Sequence, residues 1–287
     1  APVMDGIQGG DKRKARSHTI AEDMLERFAE APLIDKYEAY QRLMSYWAET
    51  MQDDVFIIAD AGWDAARELR EARKETDKTG KVKWLEEADL TVNKVRLVAD
   101  VIPPRLIVAR FFPELQQTLD DAQARAEDLG REIEEMVEEH GAEGGLLEFA
   151  LTEAGKLTAA SVRARQNSGA AEPEEARRLK QVARLMTAET EAKKAAREAG
   201  ETLTEATLKK YPELTEEEIR KLVVDDKWLT DIAELIEAEI EARTEQLTAR
   251  VRELTERYGH TLPDIDEGYI DISRKVSVHL KTMGFSA

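Results

Sequence analysis

Residues 33–63 read LIDKYEAYQRLMSYWAETMQDDVFIIADAGW and hold two of the four Trp and three of the six Tyr residues of the chain. Within this aromatic block, five large side chains recur at helical spacing: Tyr37, Tyr40, Met44, Trp47 and Met51. Such spacing places them on one face of an amphipathic helix. Because aromatic side chains bury large areas, the block predicts a helix that packs into a sizeable core.

The two ends of this helix carry signals of their own. Asp35 and Glu38 form an Asp-x-x-Glu pattern, which predicts a capping box at the start. Asp53 and Asp54 are expected to end the helix, since Asp is favoured at element boundaries. Val55–Ile58 is a short β-branched and aromatic run, which predicts a buried strand. The block therefore predicts a small aromatic helix/strand junction near the N-terminus.

Composition narrows the fold class. The 287 residues are 36% charged and 6% aromatic and are rich in Ala, Glu, Leu and Arg, which favours a mainly α fold. The absence of cysteine excludes disulfides and thiolate metal sites and fits a reducing compartment. No apolar run approaches the roughly 18 residues needed to span a bilayer. We therefore expect a cytoplasmic protein without a membrane partner.

The net charge of −18 argues against a broad nucleic-acid-binding face, because phosphate backbones select basic surfaces. Two local basic clusters are weak candidates for nucleic-acid contact: Lys12, Arg13, Lys14 and Arg16, and the pair Arg177 and Arg178. The alternative interpretation is that these clusters are solvated surface or a flexible arm.

Two long helices are predicted from apolar seams. The first, over residues 113–140, has the seam Leu115, Leu119, Ala122, Ala126, Leu129, Ile133 and Met136. The second, over residues 226–258, has the seam Leu229, Ile232, Ile236, Ile240, Arg243, Leu247, Val251, Leu254 and Tyr258. We expect these helices to pair as an antiparallel, coiled-coil-like hairpin. Arg243 interrupts the second seam. It either snorkels to solvent or pairs with Glu132, Glu134 or Glu135, or it fixes the register against a polar partner surface.

The remaining segments complete a three-part organisation. Residues 1–18 are expected to be a cloning junction or a disordered lead-in, 19–112 the junction region and 113–287 a long-helix arm. Within the arm, residues 141–225 form a helical insertion, and 264–284 form a terminal helix. The signals used for these helices are Pro173 as a helix start, Thr215 and Glu218 as a capping box, Gly284 as a C-terminal cap, and Ile272, Val276, Leu280 and Met283 as one apolar face.

Several sequence segments resemble those of a known protein family. They are DKYEAYQRLMSYWAETMQDDVFII (35–58), IPPRLIVARFF (102–112), YPELTEEEI (211–219), LVVDDKWL (222–229) and HLKTMGF (279–285). In this order they resemble the C-terminal region of the methyltransferase (M) subunit of bacterial type I restriction–modification systems. The resemblance covers about residues 18–285, and its middle part is the least similar.

This resemblance implies a function. In that family two M subunits assemble with one specificity (S) subunit, and the complex methylates adenine at N6 in DNA, with S-adenosylmethionine as methyl donor. The C-terminal helices are associated with docking on the S subunit and with enclosing DNA. Partner-binding candidates are therefore the apolar seams of the long helices and Arg243: Leu119, Leu129, Ile133, Ile236, Ile240, Arg243, Leu247, Val251 and Leu254.

The motifs of methyl transfer are missing from these residues. Adenine-N6 methyltransferases use an Asn/Asp-Pro-Pro-aromatic motif to hold the flipped base, whereas residues 102–105 read IPPR. No glycine-rich loop follows a predicted strand, and the four His residues form no metal-binding pair. We therefore assign no catalytic, cofactor or metal residue, place S-adenosylmethionine in the parent subunit, and expect no activity from this chain alone. The alternative function is a generic coiled-coil scaffold unrelated to restriction.

Overall fold

The computed structural model describes residues 13–31, 34–76, 82–152, 154–259 and 262–285, except the side chains of residues 13–17 and 76, and it is mainly α-helical, as predicted. The helices are α1 (Arg13–Arg27), α2 (Lys36–Tyr46), α3 (Gln52–Ala61), α4 (Pro104–Phe111), α5 (Pro113–His140), α6 (Ala159–Asn167), α7 (Pro173–Glu213), α8 (Glu216–Arg220), α9 (Thr230–Tyr258) and α10 (Leu262–Thr282). Segments Trp47–Met51 and Lys221–Leu229 are π-helical, and Trp63–Arg67 and Glu148–Ala150 are 3-10 turns. The strands are β1 (Arg70–Glu71), β2 (Lys74–Thr76), β3 (Val82–Trp84), β4 (Leu90–Val92) and β5 (Val95–Val98).

The chain divides into two units that differ from the predicted domains. Residues 53–227 form one unit, and residues 13–52 together with 228–285 form the other. The predicted boundary at 112/113 does not coincide with either unit limit, and α2 packs on α9, which lies far along the chain. Of the predicted junction or lead-in at residues 1–18, residues 13–18 are helical, since α1 begins at Arg13. The remainder of that prediction, residues 1–12, lies outside the described residues.

The aromatic block forms helix throughout residues 36–61, with a π-helical turn at Trp47–Met51. The predicted helix end at Asp53 and the predicted strand at Val55–Ile58 are therefore wrong. Met51, Val55 and Ile58 are fully buried whereas Phe56 is 47% exposed. Burial at steps of four and three residues is the helical period, so this short apolar run packs as a helix.

The start and the buried face of α2 are partly as predicted. The Asp35 side chain caps the helix by accepting a hydrogen bond from the Tyr37 backbone N–H at 2.8 Å. Glu38 instead forms an ion pair with Arg243. The buried residues of α2 are Ala39, Leu43 and Tyr46. Tyr37 is 63% exposed, so the buried face is rotated away from the predicted aromatic stripe.

In the unit of residues 53–227, α5 packs along α7 over most of its length. A Cβ at Gly200 would lie 3.7 Å from Leu119 Cδ1, and one at Gly130 would lie 3.6 Å from Glu189 Oε1. Since the α7 positions fall as the α5 positions rise, the two helices are antiparallel. The long helix that packs on α5 within this unit is α7, and the predicted pairing of residues 113–140 with 226–258 is not confirmed. The apolar period of α5 was correct, but it does not specify which helix covers it.

The far end of this helical pair holds a small apolar core. Its buried members come from α5, the following loop, α6 and the start of α7: Met136, Leu147, Ala150, Val162, Leu179 and Val182. As predicted, α7 begins at Pro173, which tolerates the first helical turn because its missing N–H is not needed there. Beside this core, Arg165 donates to the Glu175 carboxylate at 2.6 and 2.9 Å. This contact lowers the pKa of Glu175.

A buried polar cluster lies at the other end of α7. The Lys227 ammonium donates to Asp54 Oδ2 at 2.6 Å and to the Val101 carbonyl oxygen at 2.7 Å. Both charged residues are almost fully buried, with 5% of Lys227 and 2% of Asp54 exposed. Such a charge is tolerated in an interior only when it is paired and hydrogen-bonded.

Two further contacts surround this ion pair. The Tyr211 hydroxyl donates to the Ile102 carbonyl oxygen at 2.6 Å, and burial raises the pKa of Tyr211 well above its usual value. Arg110 forms a bidentate pair with Asp226, with both N–O distances at 2.6 Å, and this pair raises the pKa of Arg110. Asp54 and Asp226 thus each hold a cation of the chain itself.

The predicted capping box at α8 is confirmed. The Thr215 side chain accepts from the Glu218 backbone N–H, and the Glu218 carboxylate accepts from the Thr215 backbone N–H at 2.8 Å. The backbone N–H of Thr215 is the main cause of a lowered pKa of Glu218, and Lys210 adds to it. This short helix is defined by its local sequence.

The short strands form antiparallel pairs, β1–β5, β4–β5 and β2–β3. Asn93 and Lys94 both have positive φ, at 49° and 67°, as a two-residue type I′ turn between β4 and β5 requires. The Ala72 N–H donates to the Arg96 carbonyl, which extends the β1–β5 pairing, and the Leu85 N–H donates to the Arg73 carbonyl, which extends the β2–β3 pairing.

We expect Lys227→Met to lower the free energy of unfolding by about 3–5 kcal/mol, because it leaves the buried Asp54 carboxylate without its cation. Adding Asp54→Leu should restore most of this loss, since the uncompensated charge is removed as well. Chemical denaturation measures both changes. Arg131→Met is the matched control: it breaks an exposed pair with Asp128 and should change the stability by less than about 1 kcal/mol. A similar effect of the two single substitutions would contradict the role given to Lys227.

The second prediction concerns Glu86. Hydrogen bonds from Arg70, then from the Arg73 backbone N–H, lower its pKa from 4.5 to about 2. Because the folded pKa lies below the unfolded one, this carboxylate stabilises the sheet above about pH 4.5, and the contribution is lost as pH falls toward 2. A carboxyl carbon NMR titration of Glu86 should show the low midpoint, and Arg70→Gln should raise it. An unchanged midpoint in Arg70→Gln would show that the guanidinium is not the cause.

Candidate interaction surface

The unit of residues 13–52 and 228–285 is built around the pairing of α2 with the first half of α9. The Tyr46 hydroxyl donates to Asp231 Oδ2 at 2.8 Å. Arg42 pairs with Glu239, and Glu38 pairs with Arg243. The α2 positions fall as the α9 positions rise, so these two helices are antiparallel. Glu38 lies in the first turn of α2, so this pairing ends at Arg243.

One face of α9 is apolar along the whole helix, but only its first half is covered. At about 100° per residue, the side chains on this face are Ile232, Ile236, Ile240, Leu247, Val251, Leu254 and Tyr258. Ile232 and Ile236 are buried at 6% and 9% exposure. Beyond Arg243 the exposed fractions rise to 61% for Leu247, 61% for Val251, 36% for Leu254 and 70% for Tyr258. We call these four exposed residues the α9 stripe; from Arg243 to Tyr258 the helix is roughly 22 Å long.

A second exposed stripe runs along α10. Its members are Leu262, Ile265, Tyr269, Ile272, Val276, Leu280 and Met283, and we call them the α10 stripe. They fall within about 80° of arc, as narrow as the seam of a coiled coil. Their exposed fractions run from 38% for Leu280 to 77% for Leu262, and no residue of α10 is buried. Gly284, at φ 87°, follows the helix, in agreement with the predicted cap.

These stripes are unusual for a folded protein. A stretch of helix in water is marginally stable on its own and is normally held by packing of its apolar face. Full burial of each Leu, Ile or Val side chain would contribute about 1.5–3 kcal/mol. Large contiguous exposed apolar areas mark interaction sites. The narrow, heptad-like spacing of the α10 stripe fits another helix as the covering element.

The structure separates the predicted partner-binding residues into three groups. On α5, which pairs with α7, Leu129 is buried and Leu119 and Ile133 are half-buried. Ile236 and Ile240 lie in the part of α9 that α2 covers. Leu247, Val251 and Leu254 are exposed and belong to the α9 stripe.

The contacts of Arg243 differ from those predicted. Its guanidinium pairs with Glu38 of α2 and with Glu239 of α9 instead of Glu132, Glu134 or Glu135. The seam interruption therefore marks the point where cover by α2 ends. The period of the seam could locate this residue, but it could not identify the opposite helix.

The nucleic-acid candidates remain predictions. Lys12 and the side chains of Arg13, Lys14 and Arg16 lie outside the described residues. Arg177 is exposed in the first turns of α7, and Arg178 hydrogen-bonds to Gln181 at 3.2 Å.

Sequence reasoning missed the N-terminal half of the α10 stripe. Leu262, Ile265 and Tyr269 continue the spacing of Ile272 and Val276. The helix begins at Leu262, before the predicted start at residue 264, and Pro263 lies in its first turn, where proline is compatible with a helix. The heptad spacing was the signal that could have found these residues.

In the described part of the chain, no group of three or more His, Asp or Glu residues could hold a metal ion. None of the helices in those ranges is long and apolar enough to cross a membrane. Comparison with protein-family models, curated proteins and solved structures finds no match to this chain. The two apolar stripes are therefore the strongest candidate site on the chain.

The exposure of the two stripes predicts how fast the backbone amides of α9 and α10 exchange with solvent. In the isolated protein, backbone amides of residues 247–258 and 264–282 should exchange with deuterium at least about tenfold faster than those of residues 232–240, because only the latter are held by tertiary packing. Hydrogen exchange with mass spectrometry measures this difference within a single helix. Equal protection along α9 would show that its second half is already covered.

Proposed function

We propose that this chain is the C-terminal helical part of a type I restriction–modification M subunit, and that the α9 and α10 stripes dock on helices of the specificity subunit. The observation that carries this proposal is the single apolar face of α9, which is buried at Ile232 and Ile236, half-buried at Ile240 and exposed from Leu247 onward. A face of this kind is explained when a second helix covers its exposed half.

The resemblance supplies the identity of the partner. The string at residues 222–229 directly precedes α9, and the string at 279–285 forms the end of α10. The resembling sequence therefore adjoins both stripes. A helical partner also suits their dimensions, since α10 alone is roughly 32 Å long. In the assembled complex we expect two copies of the M subunit, one specificity subunit and enclosed DNA.

The parent activity is adenine-N6 methylation of DNA with S-adenosylmethionine. In this chain the Asn/Asp-Pro-Pro-aromatic motif does not occur, and residues 102–105 precede and open α4 instead. Pro103 and Pro104 start that helix, and the Ile102 carbonyl accepts from Tyr211. The role that we propose for this chain is accordingly assembly. The chemistry would be carried by the methyltransferase domain of the parent subunit.

A generic coiled-coil scaffold is the second candidate, and the same stripes favour it. Such a scaffold would cover its own stripes by self-association, because identical chains present identical apolar faces. Sedimentation velocity of the isolated chain distinguishes the two. A monomer that forms a complex only with the specificity subunit supports docking. A stable homodimer that is lost on substitution of the α9 stripe supports the scaffold.

We expect the double substitution Leu247→Glu and Val251→Glu to weaken binding to a co-expressed specificity subunit at least about hundredfold, since two apolar contacts are lost and charges face the partner. The matched control is Ala242→Glu with Ala249→Glu. Both alanines are exposed on the opposite face of α9, so the charge and helix are the same while the stripe is intact. Affinity co-purification followed by titration calorimetry measures both variants.

Circular dichroism should show the same helix content in both double variants. Equal loss of binding in the two would point to net charge rather than to the stripe. Retention of binding in the Leu247/Val251 variant would show that α9 does not dock, and would overturn the proposal.

A further inference from the structure

Trp84 differs from the other tryptophans of the chain. Trp47, Trp63 and Trp228 are buried, at 7%, 6% and 0% exposure, whereas Trp84 is 37% exposed on strand β3. An exposed tryptophan on a short sheet contributes little to a core, although its side chain is the largest available.

Two cations flank the Trp84 ring. Lys74 is directly opposite Trp84 in the β2–β3 pair, and its Nζ lies 5.7 Å from the ring centroid. The Arg96 guanidinium carbon, from β5, lies 4.9 Å from the same centroid. We call these three residues the Trp84 face. Lys83 is next to Trp84 in β3 and therefore points to the other side of the strand, where it is paired with Glu75 in the register.

The charges of the Trp84 face are available to a ligand. The neighbouring Arg70 and Arg73 are neutralised by Glu86 and Asp100. Within the described ranges, Lys74 and Arg96 have no carboxylate partner, and each cation contacts the neutral Trp84 ring. In a chain with a net charge of −18, two unneutralised cations around an exposed aromatic ring stand out from the general surface.

The chemistry of this face selects one class of ligand. An aromatic ring offers a stacking surface, and the two long flexible cations beside it can move from the ring to phosphate oxygens. A nucleobase in a single strand presents both a free π-face and adjacent phosphates. In a duplex the π-faces are stacked internally and only the phosphates remain.

We propose that the Trp84 face binds single-stranded nucleic acid, with one base stacked on Trp84 and the flanking phosphates paired with Lys74 and Arg96. This site is chemically distinct from the apolar stripes. The proposal does not depend on docking to a specificity subunit.

Fluorescence anisotropy of the full 287-residue chain with a labelled oligothymidylate of about twelve nucleotides tests this site. With two phosphate contacts, the logarithm of affinity should fall with the logarithm of salt concentration with a slope of about −1.4. Trp84→Leu should weaken binding about tenfold or more, and Trp84→Phe should retain most of it because a ring remains. Binding should also change the Trp emission that acrylamide quenches, since Trp84 is the exposed tryptophan.

A matched pair of lysines separates this face from general electrostatics. Lys74→Ala should weaken binding and reduce the salt slope by about 0.7, whereas Lys83→Ala, with the same change of charge on the opposite face, should leave both unchanged. Equal effects of the two lysine variants would overturn the proposal. So would equal affinity for the single strand and a duplex of the same length, unchanged binding by Trp84→Leu, or no binding by the parent chain.

Discussion

In the interior of the unit of residues 53–227, the Lys227 ammonium is held by the Asp54 carboxylate and the Val101 carbonyl oxygen. The three residues come from distant parts of the chain, and each lies on a different segment. A buried charge pair of this kind repays its desolvation only when the geometry is good and the remaining hydrogen bonds are made. Correct assembly of these three segments is therefore required for the unit to be stable.

The contacts around this ion pair follow from the same constraint. Arg110–Asp226 and Tyr211–Ile102 join α4 and the end of α7 to the same two segments of chain. The π-helical segment Lys221–Leu229 carries both Asp226 and Lys227. A π-helix is less stable than an α-helix and persists where side chains hold it. Here the two ion pairs and the fully buried Trp228 provide such contacts.

Sequence reasoning succeeded where structure is determined locally. The α7 start at Pro173, the Thr215–Glu218 capping box and the apolar period of α5 each depend on residues within a few positions of one another. Sequence reasoning failed where the local structure depends on residues that are distant in the chain. Asp54 lies inside a helix because Lys227, 173 positions away, neutralises it, and no local pattern encodes that contact. The strand was predicted at Val55–Ile58 because the helix was expected to end at Asp53 and Asp54, and the contact with Lys227 was not visible in the local sequence.

The candidate sites show the same limit. The seam of α9 was read correctly as a period, but whether a given turn is buried depends on where α2 ends. The Trp84 face was missed because strands of two to four residues have too few positions to show alternation. Its cations come from β2 and β5, and only the strand register places them beside the ring.

Arg243 and the other polar contacts between α2 and α9 determine how the two helices are aligned. A purely apolar seam along all of α9 would allow α2 to slide along it, since successive turns would offer equivalent apolar contacts. Three polar contacts, made by Tyr46, Arg42 and Glu38, define one register. Polar residues in a helix seam commonly reduce stability and in return specify alignment. In this unit they hold α2 against the first half of α9, and the residues of the α9 stripe are exposed.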